Sequence, residues 1–466
     1  MAANPLEPDP VEMQTMGRQA VDFAADFVAG LPQAPAVNAA GAQPLVEHLL
    51  RPPGDKPGEF GALLDTFGQA ASAAVETAGP GYLAYVPGGG QVTSALAELL
   101  ARTVNRYTGL SELAPALVAM EHGVLRWMCD QFGLPAGAGG IVTTGGSMAT
   151  LAAVVAARHN RLGEGFAHGT LYVTEHTHHC VAKAARIAGL PAANIRTVPT
   201  TEHLRMDVDA AVRMIRDDRA AGLKPFLLAG TAGTTDTGSI DPLTALAGLA
   251  RHEGMWFHVD AAYGGFFQLT GRGRERFSGV EAADSLVLDP HKGLFLPYGT
   301  GLLLVRDPVA LRAAHGGEGN YLQDLEGSRA LPDYAELGPE LTREFRGLRL
   351  WLPLHLHGVG AFRDALDEKL DLTMRAYRKL AADPALEVPW EPELSVVAFR
   401  LRDGDGNDDS ANQRLLERIN ASNRIFVSST RVNGHYVLRL CILSLRTHDE
   451  HITEALDIIH GAARAG

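Results

Sequence analysis

Between Gly139 and Val305 the chain alternates short apolar runs with stretches whose apolar residues recur at helical spacing. The runs are GIVTT (140–144), TLYVT (170–174), FLLAG (226–230), WFHVD (256–260), SLVLD (285–289) and GLLLV (301–305). Strands alternating with helices predict an α/β domain around a largely parallel sheet. Ligands of such folds bind beyond the carboxyl ends of the strands. Polar residues follow the apolar runs there: Thr143 to Ser147, Thr174 to His179, Thr231 to Thr235, Asp260, and Asp289 to Lys292. Polar strand ends gathered on one rim predict one site.

The flanks follow other patterns. Met16, Ala20, Phe23, Phe27 and Leu31 recur at helical spacing, which predicts an amphipathic helix that buries its apolar face on its own chain or on another subunit. Beyond Phe345 a helical stretch, FRGLRLWLPLHLHGVGAFRDALDEKL, gives way to SVVAFRL (395–401), the acidic turn DGDGNDD, a helix, YVLRLCIL (436–443) and a closing helix. That order predicts a smaller α+β domain. The expected organisation is an N-terminal helical arm over 1–80, a large domain over 81–370 and a small C-terminal domain over 371–466. DGDGNDD lacks the twelve-residue ligand pattern of a calcium loop and reads as a solvated turn.

Composition narrows the class of partner. With 466 residues, 46% of them hydrophobic, the chain can bury a large core. A formal net charge of −13 opposes nonspecific binding to nucleic acid or an anionic membrane. Cys129, Cys180 and Cys441 lack CxxC spacing, so neither a disulfide framework nor a structural zinc site is expected, and the compartment expected is reducing cytosol. The N-terminus, MAANPLEPDPVEM, lacks the pattern of a secretory signal. No apolar segment approaches the roughly 20 residues of a membrane span. Small molecules are the expected partners.

The strand ends carry candidate chemistry. In TTGGSMATLAAVVAAR (143–158) a strand runs into a Gly-rich turn and an apolar helix. The backbone N–H groups of Gly146 and Ser147 lie free at the helix start, where an anion such as phosphate is favoured, although a plain helix cap has the same look. The segment has neither the Walker Gly-Lys-Ser/Thr ending nor the GxGxxG dinucleotide pattern. Asp260 closes the run WFHVD and needs a cationic or donor partner. Lys292, in DPHKG between two apolar runs, must be paired, snorkelling to water or chemically used. Together a phosphate cradle, a carboxylate and a lysine match the needs of pyridoxal phosphate (PLP): anchor, ring-nitrogen partner and Schiff-base amine. His178 adds an imidazole that can stack on the ring. A histidine in EHTHH can also be a surface or metal-associated residue, but no nearby Glu/Asp/Cys pattern completes a metal site.

The order TGGSMATL, HTHHCVAKAARIAG, AGTTDTGSIDP, HVDAAYGG and DPHKG resembles the PLP-dependent group II amino acid decarboxylases, which include the aromatic-L-amino-acid, histidine and glutamate decarboxylases. The resemblance runs from AYVP (84–87) to the arginine in YVLRLCILS. It implies an aspartate-aminotransferase-like fold (PLP fold type I) and an obligate homodimer with the active site at the subunit interface and the N-terminal arm wrapped around the partner. By the same resemblance Lys292 is the Schiff-base lysine with His291 beside it, Asp260 the partner of the pyridine nitrogen, Ala262 the small residue under the ring and His178 the stacking residue. Gly146 and Ser147 correspond to the phosphate-binding backbone, and Thr235 to a threonine near the cofactor. Tyr321, in the Gly-rich HGGEGNYLQD, corresponds to a loop tyrosine that protonates the substrate carbon after CO2 leaves. Tyr85, Gly88, Thr342 and Arg439 fall on the substrate side.

Some positions depart from the family pattern. Gly293 stands where many members have Trp, Gly88 where many have Thr, and Asp289 where Asn is commoner, which places a carboxylate near the expected phosphate. Gly88, Gly293 and Thr342 weaken any transfer of aromatic specificity. The resemblance thus implies decarboxylation of an L-amino acid, with hydrophobic or aromatic side chains ranked above acidic or diamino ones. Aldehyde synthase, lyase or transaminase chemistry and a catalytically silent structural protein are the competing readings.

Overall fold

The computed structural model describes residues 6–39, 41–317, 330–402 and 409–465. A seven-stranded sheet forms the centre: β1 (Gly139–Thr143), β2 (Gly169–Thr174), β3 (Ile195–Val198), β4 (Lys224–Thr231), β5 (Trp256–Asp260), β6 (Ser285–Leu288) and β7 (Gly301–Val305), in the order β1-β7-β6-β5-β4-β2-β3. Strands β3, β2, β4, β5 and β6 pair in parallel, and β7 runs antiparallel to both of its neighbours. Two reversals leave β1 pointing the same way as β6, so its carboxyl end opens on the shared rim.

Helices cover both faces, which is why these strands are continuous apolar runs rather than alternating ones. Every residue of β1, β5, β6 and β7 is buried. Each large apolar side chain so buried stabilises the fold by roughly 1.5–3 kcal/mol. Register sets the rim. Asp260, the last residue of β5, lies opposite Thr231 at the end of β4 and Val287 of β6. The turn after β6, Pro290–Gly293, is a single short helical turn.

A second, antiparallel sheet follows, with β8 (Leu386–Glu387), β9 (Val396–Leu401), β10 (Ser428–Val432) and β11 (His435–Cys441) in the order β10-β11-β9-β8. The helix Leu348–Ala381 links the two cores. It breaks at Gly358, where φ is +73°. Its residues Leu350, Leu354, Phe362, Leu366 and Leu370 join the core of the large sheet. Leu372, Ala376 and Leu380 join the core of the small one.

Near the N-terminus the helix Pro10–Gly30 starts at Asp9, whose Oδ1 accepts from the N–H groups of Val11 and Glu12 while Glu12 returns a bond to the Asp9 N–H. Phe23 packs on Phe67 of the helix Phe60–Ser72, ring centroids 5.6 Å apart. No residue of either helix is buried. Among the described residues no helix is long and apolar enough to cross a membrane.

Candidate active site

The rim encloses a cavity of about 320 Å³ whose walls include Gly146, Ser147, His178, Thr235, Asp260, Ala262, His291 and Lys292. Those are the residues expected to hold the cofactor, and the fold brings all of them together. They arrive from five strand ends: Gly146 and Ser147 after β1, His178 after β2, Thr235 after β4, Asp260 and Ala262 at the end of β5, and His291 and Lys292 after β6.

Behind β1, the helix Gly146–Leu162 makes its first internal bonds from Met148 and Ala149 to the Gly145 carbonyl. The N–H groups of Gly146 and Ser147 precede those bonds and are free for an anion. Gly146 is needed there: a Cβ at this position would lie 2.9 Å from Asp289 Oδ2 and 3.3 Å from the Ala262 Cβ. Asp260 Oδ1 accepts from the Ala262 N–H at 3.1 Å. Among the described residues it has no ion-pair partner. A buried carboxylate without a cation is costly, so a protonated ring nitrogen is a well-matched occupant.

Lys292 is 21% exposed at its side chain, and its Nζ lies 2.9 Å from Asp289 Oδ2. Burial disfavours the ammonium, but Asp289, with Asp260 behind it, outweighs burial and holds the lysine above its ordinary pKa. His291 offers Nδ1 to the Thr300 carbonyl at 2.6 Å, and burial lowers its pKa. His178 is lowered too, chiefly by burial and against the pull of Asp260, so it stands as a neutral imidazole. Its Nδ1 accepts from the Cys180 N–H at 3.3 Å. The Cys180 thiol also lines the cavity, where burial pushes it up to about 12 and leaves it unreactive.

An anion cradle that only glycine keeps open, an unpaired carboxylate and a charged lysine in one cavity fit PLP. Gly146 and Ser147 would hold its phosphate, Asp260 its ring nitrogen, His178 and Ala262 its ring and Lys292 its aldehyde carbon.

The residues expected on the substrate side do not line this cavity. Tyr85, Gly88, Thr342 and Arg439 are outside the cavity wall. Arg439 is buried and bonded through all three of its guanidinium nitrogens. Nε bonds the Asp236 carbonyl at 2.8 Å, Nη1 bonds Ser428 Oγ at 2.9 Å, and Nη2 bonds the carbonyls of Tyr85, at 3.0 Å, and Thr235. It pins the Thr235 loop to β11. Tyr85 is exposed, with φ at +49° and its N–H on Ser428 Oγ. Thr342 is exposed next to the buried Arg343.

Neither glycine departure opens room. A Cβ at Gly293 would meet Phe266 at 2.6 Å, and one at Gly88 would meet Tyr298 at 2.9 Å and the His291 carbonyl at 3.0 Å. Tyr321 lies outside the described residues. Unanticipated wall residues include Thr150, Cys180 and Tyr263; Thr231, at the strand end expected on the rim, also lines the wall, and its Oγ1 is buried without a hydrogen-bond partner among the described residues.

Residues 53–402 match the family model described as "Pyridoxal-dependent decarboxylase conserved domain". The chain is 34% identical to the tyrosine decarboxylase of Oryza sativa subsp. japonica, over 98% of this chain and 91% of that one. It is 32% identical to the aromatic-L-amino-acid decarboxylase of Bacillus atrophaeus, over 81% of this chain and 80% of that one. The crystal structure of Catharanthus roseus tryptophan decarboxylase in complex with L-tryptophan superposes with a TM-score of 0.92 at 27% identity, covering 99% of this chain and 100% of that one.

Proposed function

Because the chain belongs to the pyridoxal-dependent decarboxylase family, we propose that it removes the α-carboxylate of an L-amino acid with an aromatic or large hydrophobic side chain, yielding the amine and CO2. It is a PLP-dependent carboxy-lyase. The observation that carries the reading is the meeting of Lys292, Asp260 and the Gly146 cradle in one cavity. The side-chain class is supported by the relatives named above, a tyrosine decarboxylase and an aromatic-L-amino-acid decarboxylase.

Bound PLP supplies the electron sink for the pair left on the α-carbon as CO2 departs. Lys292 would supply the amine that holds the cofactor's aldehyde carbon. Asp260 would keep the proton on the ring nitrogen, and its burial beside the cavity would keep that interaction dry. His178, held toward its neutral form by burial, would face the ring without adding charge. Tyr321 is read as the proton donor to the α-carbon, and a tyrosine at this position, rather than phenylalanine, favours amine formation over aldehyde formation.

A homodimer completes the reading. The helix Val92–Val104 leaves Leu96, Leu99, Leu100 and Val104 exposed, and Val21, Leu63 and Phe67 are exposed on the N-terminal helices. Apolar side chains at i, i+3 and i+4 facing outward mark a surface for a partner. We read residues 1–80 as the arm that wraps a second copy, 81–370 as the PLP-binding domain and 371–466 as the small domain. Three buried free cysteines suit a cytosolic location. The substrate reading is tested by comparing kcat/KM for L-tryptophan, L-tyrosine, L-phenylalanine, L-glutamate and L-2,4-diaminobutyrate. Turnover of the acidic or diamino substrate above the aromatic ones overturns it.

A further inference from the structure

Asp289 has no part in the reading above, and its surroundings are unusual. Its side chain is 4% exposed, with Oδ2 at 2.9 Å from Lys292 Nζ and 3.7 Å from His291 Nε2. Oδ1 is buried and has no hydrogen-bond partner among the described residues. Both oxygens border the space beside Gly146, where an added Cβ would come within 2.9 and 3.1 Å of them. Gly146 opens the helix whose free N–H groups form the anion cradle. The carboxylate therefore borders both the amine that must lose a proton and the place where a phosphate dianion sits. Two anions side by side in a buried site are costly. A carboxylic acid in the same place is a donor for a phosphate oxygen.

We propose that Asp289 is the internal base that readies Lys292 for cofactor loading, and that it remains protonated beside the phosphate afterwards. The step balances. Lys292 Nζ passes one proton to Asp289 Oδ2 across their 2.9 Å contact. The freed lone pair adds to the aldehyde carbon of PLP, a C=N bond forms and water leaves. An ion pair is replaced by a neutral acid, and no proton is lost to solvent.

The other titratable groups around the pair leave this role to Asp289. His291, on the same turn, is bonded to the Thr300 carbonyl and held toward its neutral form by burial. His178 and Cys180, from the segment after β2, are also held neutral by burial. Asp260, from β5, raises the lysine's proton affinity from behind Asp289. The helix Gly146–Leu162 brings no charged side chain in its first turn.

The test mixes cofactor-free protein with PLP and follows, by stopped flow from about pH 6.5 to 8.5, the absorbance that reports the C=N bond. Wild type, Asp289→Asn and Asp289→Ser are compared, the second variant serving if the first does not fold. Binding of inorganic phosphate is measured in parallel by calorimetry. With an internal base, the wild-type rate should change by less than about threefold across this range. Without it, the rate should rise about tenfold per pH unit, following the neutral fraction of the amine. The variants should also bind phosphate roughly tenfold more tightly, having lost an adjacent anion. A folded variant that forms the bond at the wild-type rate and pH dependence, or binds phosphate no more tightly, overturns the proposal. The inference rests on Lys292 being the cofactor lysine. If wild type gives no absorbance change, or Lys292→Ala gives the same one, that reading fails. A normal wild-type change with unaffected variants sinks only the role of Asp289.

Discussion

Lys292 sits among apolar strands because two carboxylates offset the cost of its charge, and the same economy governs its neighbours. Gly146 shows how narrowly the cradle is built. In Gly146→Ala the added methyl collides with the Asp289 carboxylate. Overpacking of that kind costs about 1–3 kcal/mol, so PLP affinity should fall by roughly tenfold or more while far-ultraviolet circular dichroism stays unchanged. Equilibrium dialysis of the two proteins checks this. His258 gives a pH signature. Burial lowers its pKa to about 4, with Nδ1 on Ser285 Oγ at 2.8 Å and Nε2 unpartnered among the described residues. Its folded pKa is depressed, so the unfolded state binds the proton first. Stability is complete above the ordinary histidine pKa and declines as pH falls toward 4. The loss from this residue should be about 3 kcal/mol, read by urea unfolding at successive pH values. His258→Leu should remove that part of the slope.

At the scale of elements, the chemistry is held by strand ends and by buried ion pairs that tie helices to them. Arg343 Nη2 bonds Glu121 of the helix Pro115–Gln131 at 2.7 Å and the Val142 carbonyl of β1 at 3.2 Å, with both side chains fully buried. Removing one partner leaves an uncompensated charge, so Arg343→Met should destabilise by about 3–5 kcal/mol, whereas Arg343→Met with Glu121→Leu should recover most of it. Chemical denaturation of the three proteins checks the cycle. The strands that bear the site were legible in the sequence because each is a buried apolar run ending in polar residues, as WFHVD does at Asp260. The edge strand β3 was not, because IRTV is short, partly exposed and mixed in polarity. β7 is antiparallel to its neighbours although GLLLV reads like the parallel strands of the sheet, since pairing direction leaves no mark on a fully buried strand. The bonds of Arg439 were not legible for a related reason. Its partners are carbonyls of Thr235, Asp236 and Tyr85, and no side-chain pattern announces them. The filled spaces at Gly88 and Gly293 depend on Tyr298 and Phe266, contacts that only the folded chain brings close.

On the scale of the whole molecule, the proposed dimer joins the exposed apolar helices to the site. The helix Val92–Val104 follows Gly88, where an added Cβ would lie 3.0 Å from the carbonyl of His291, one residue before Lys292. Leu99→Glu together with Leu100→Glu should convert a dimer to a monomer in sedimentation and weaken PLP binding at the same time. A variant that sediments as wild type would remove that face from the interface. The family, the cofactor and the shared cavity converge on one reaction. The measurement that tests it most directly incubates the PLP-loaded protein with an aromatic L-amino acid labelled with ¹³C at its carboxyl group and quantifies the products by mass spectrometry. The account predicts labelled CO2 and unlabelled amine in equal amounts, and neither from Lys292→Ala. Release of an aldehyde with ammonia, or full retention of the label in the amino acid, would contradict it.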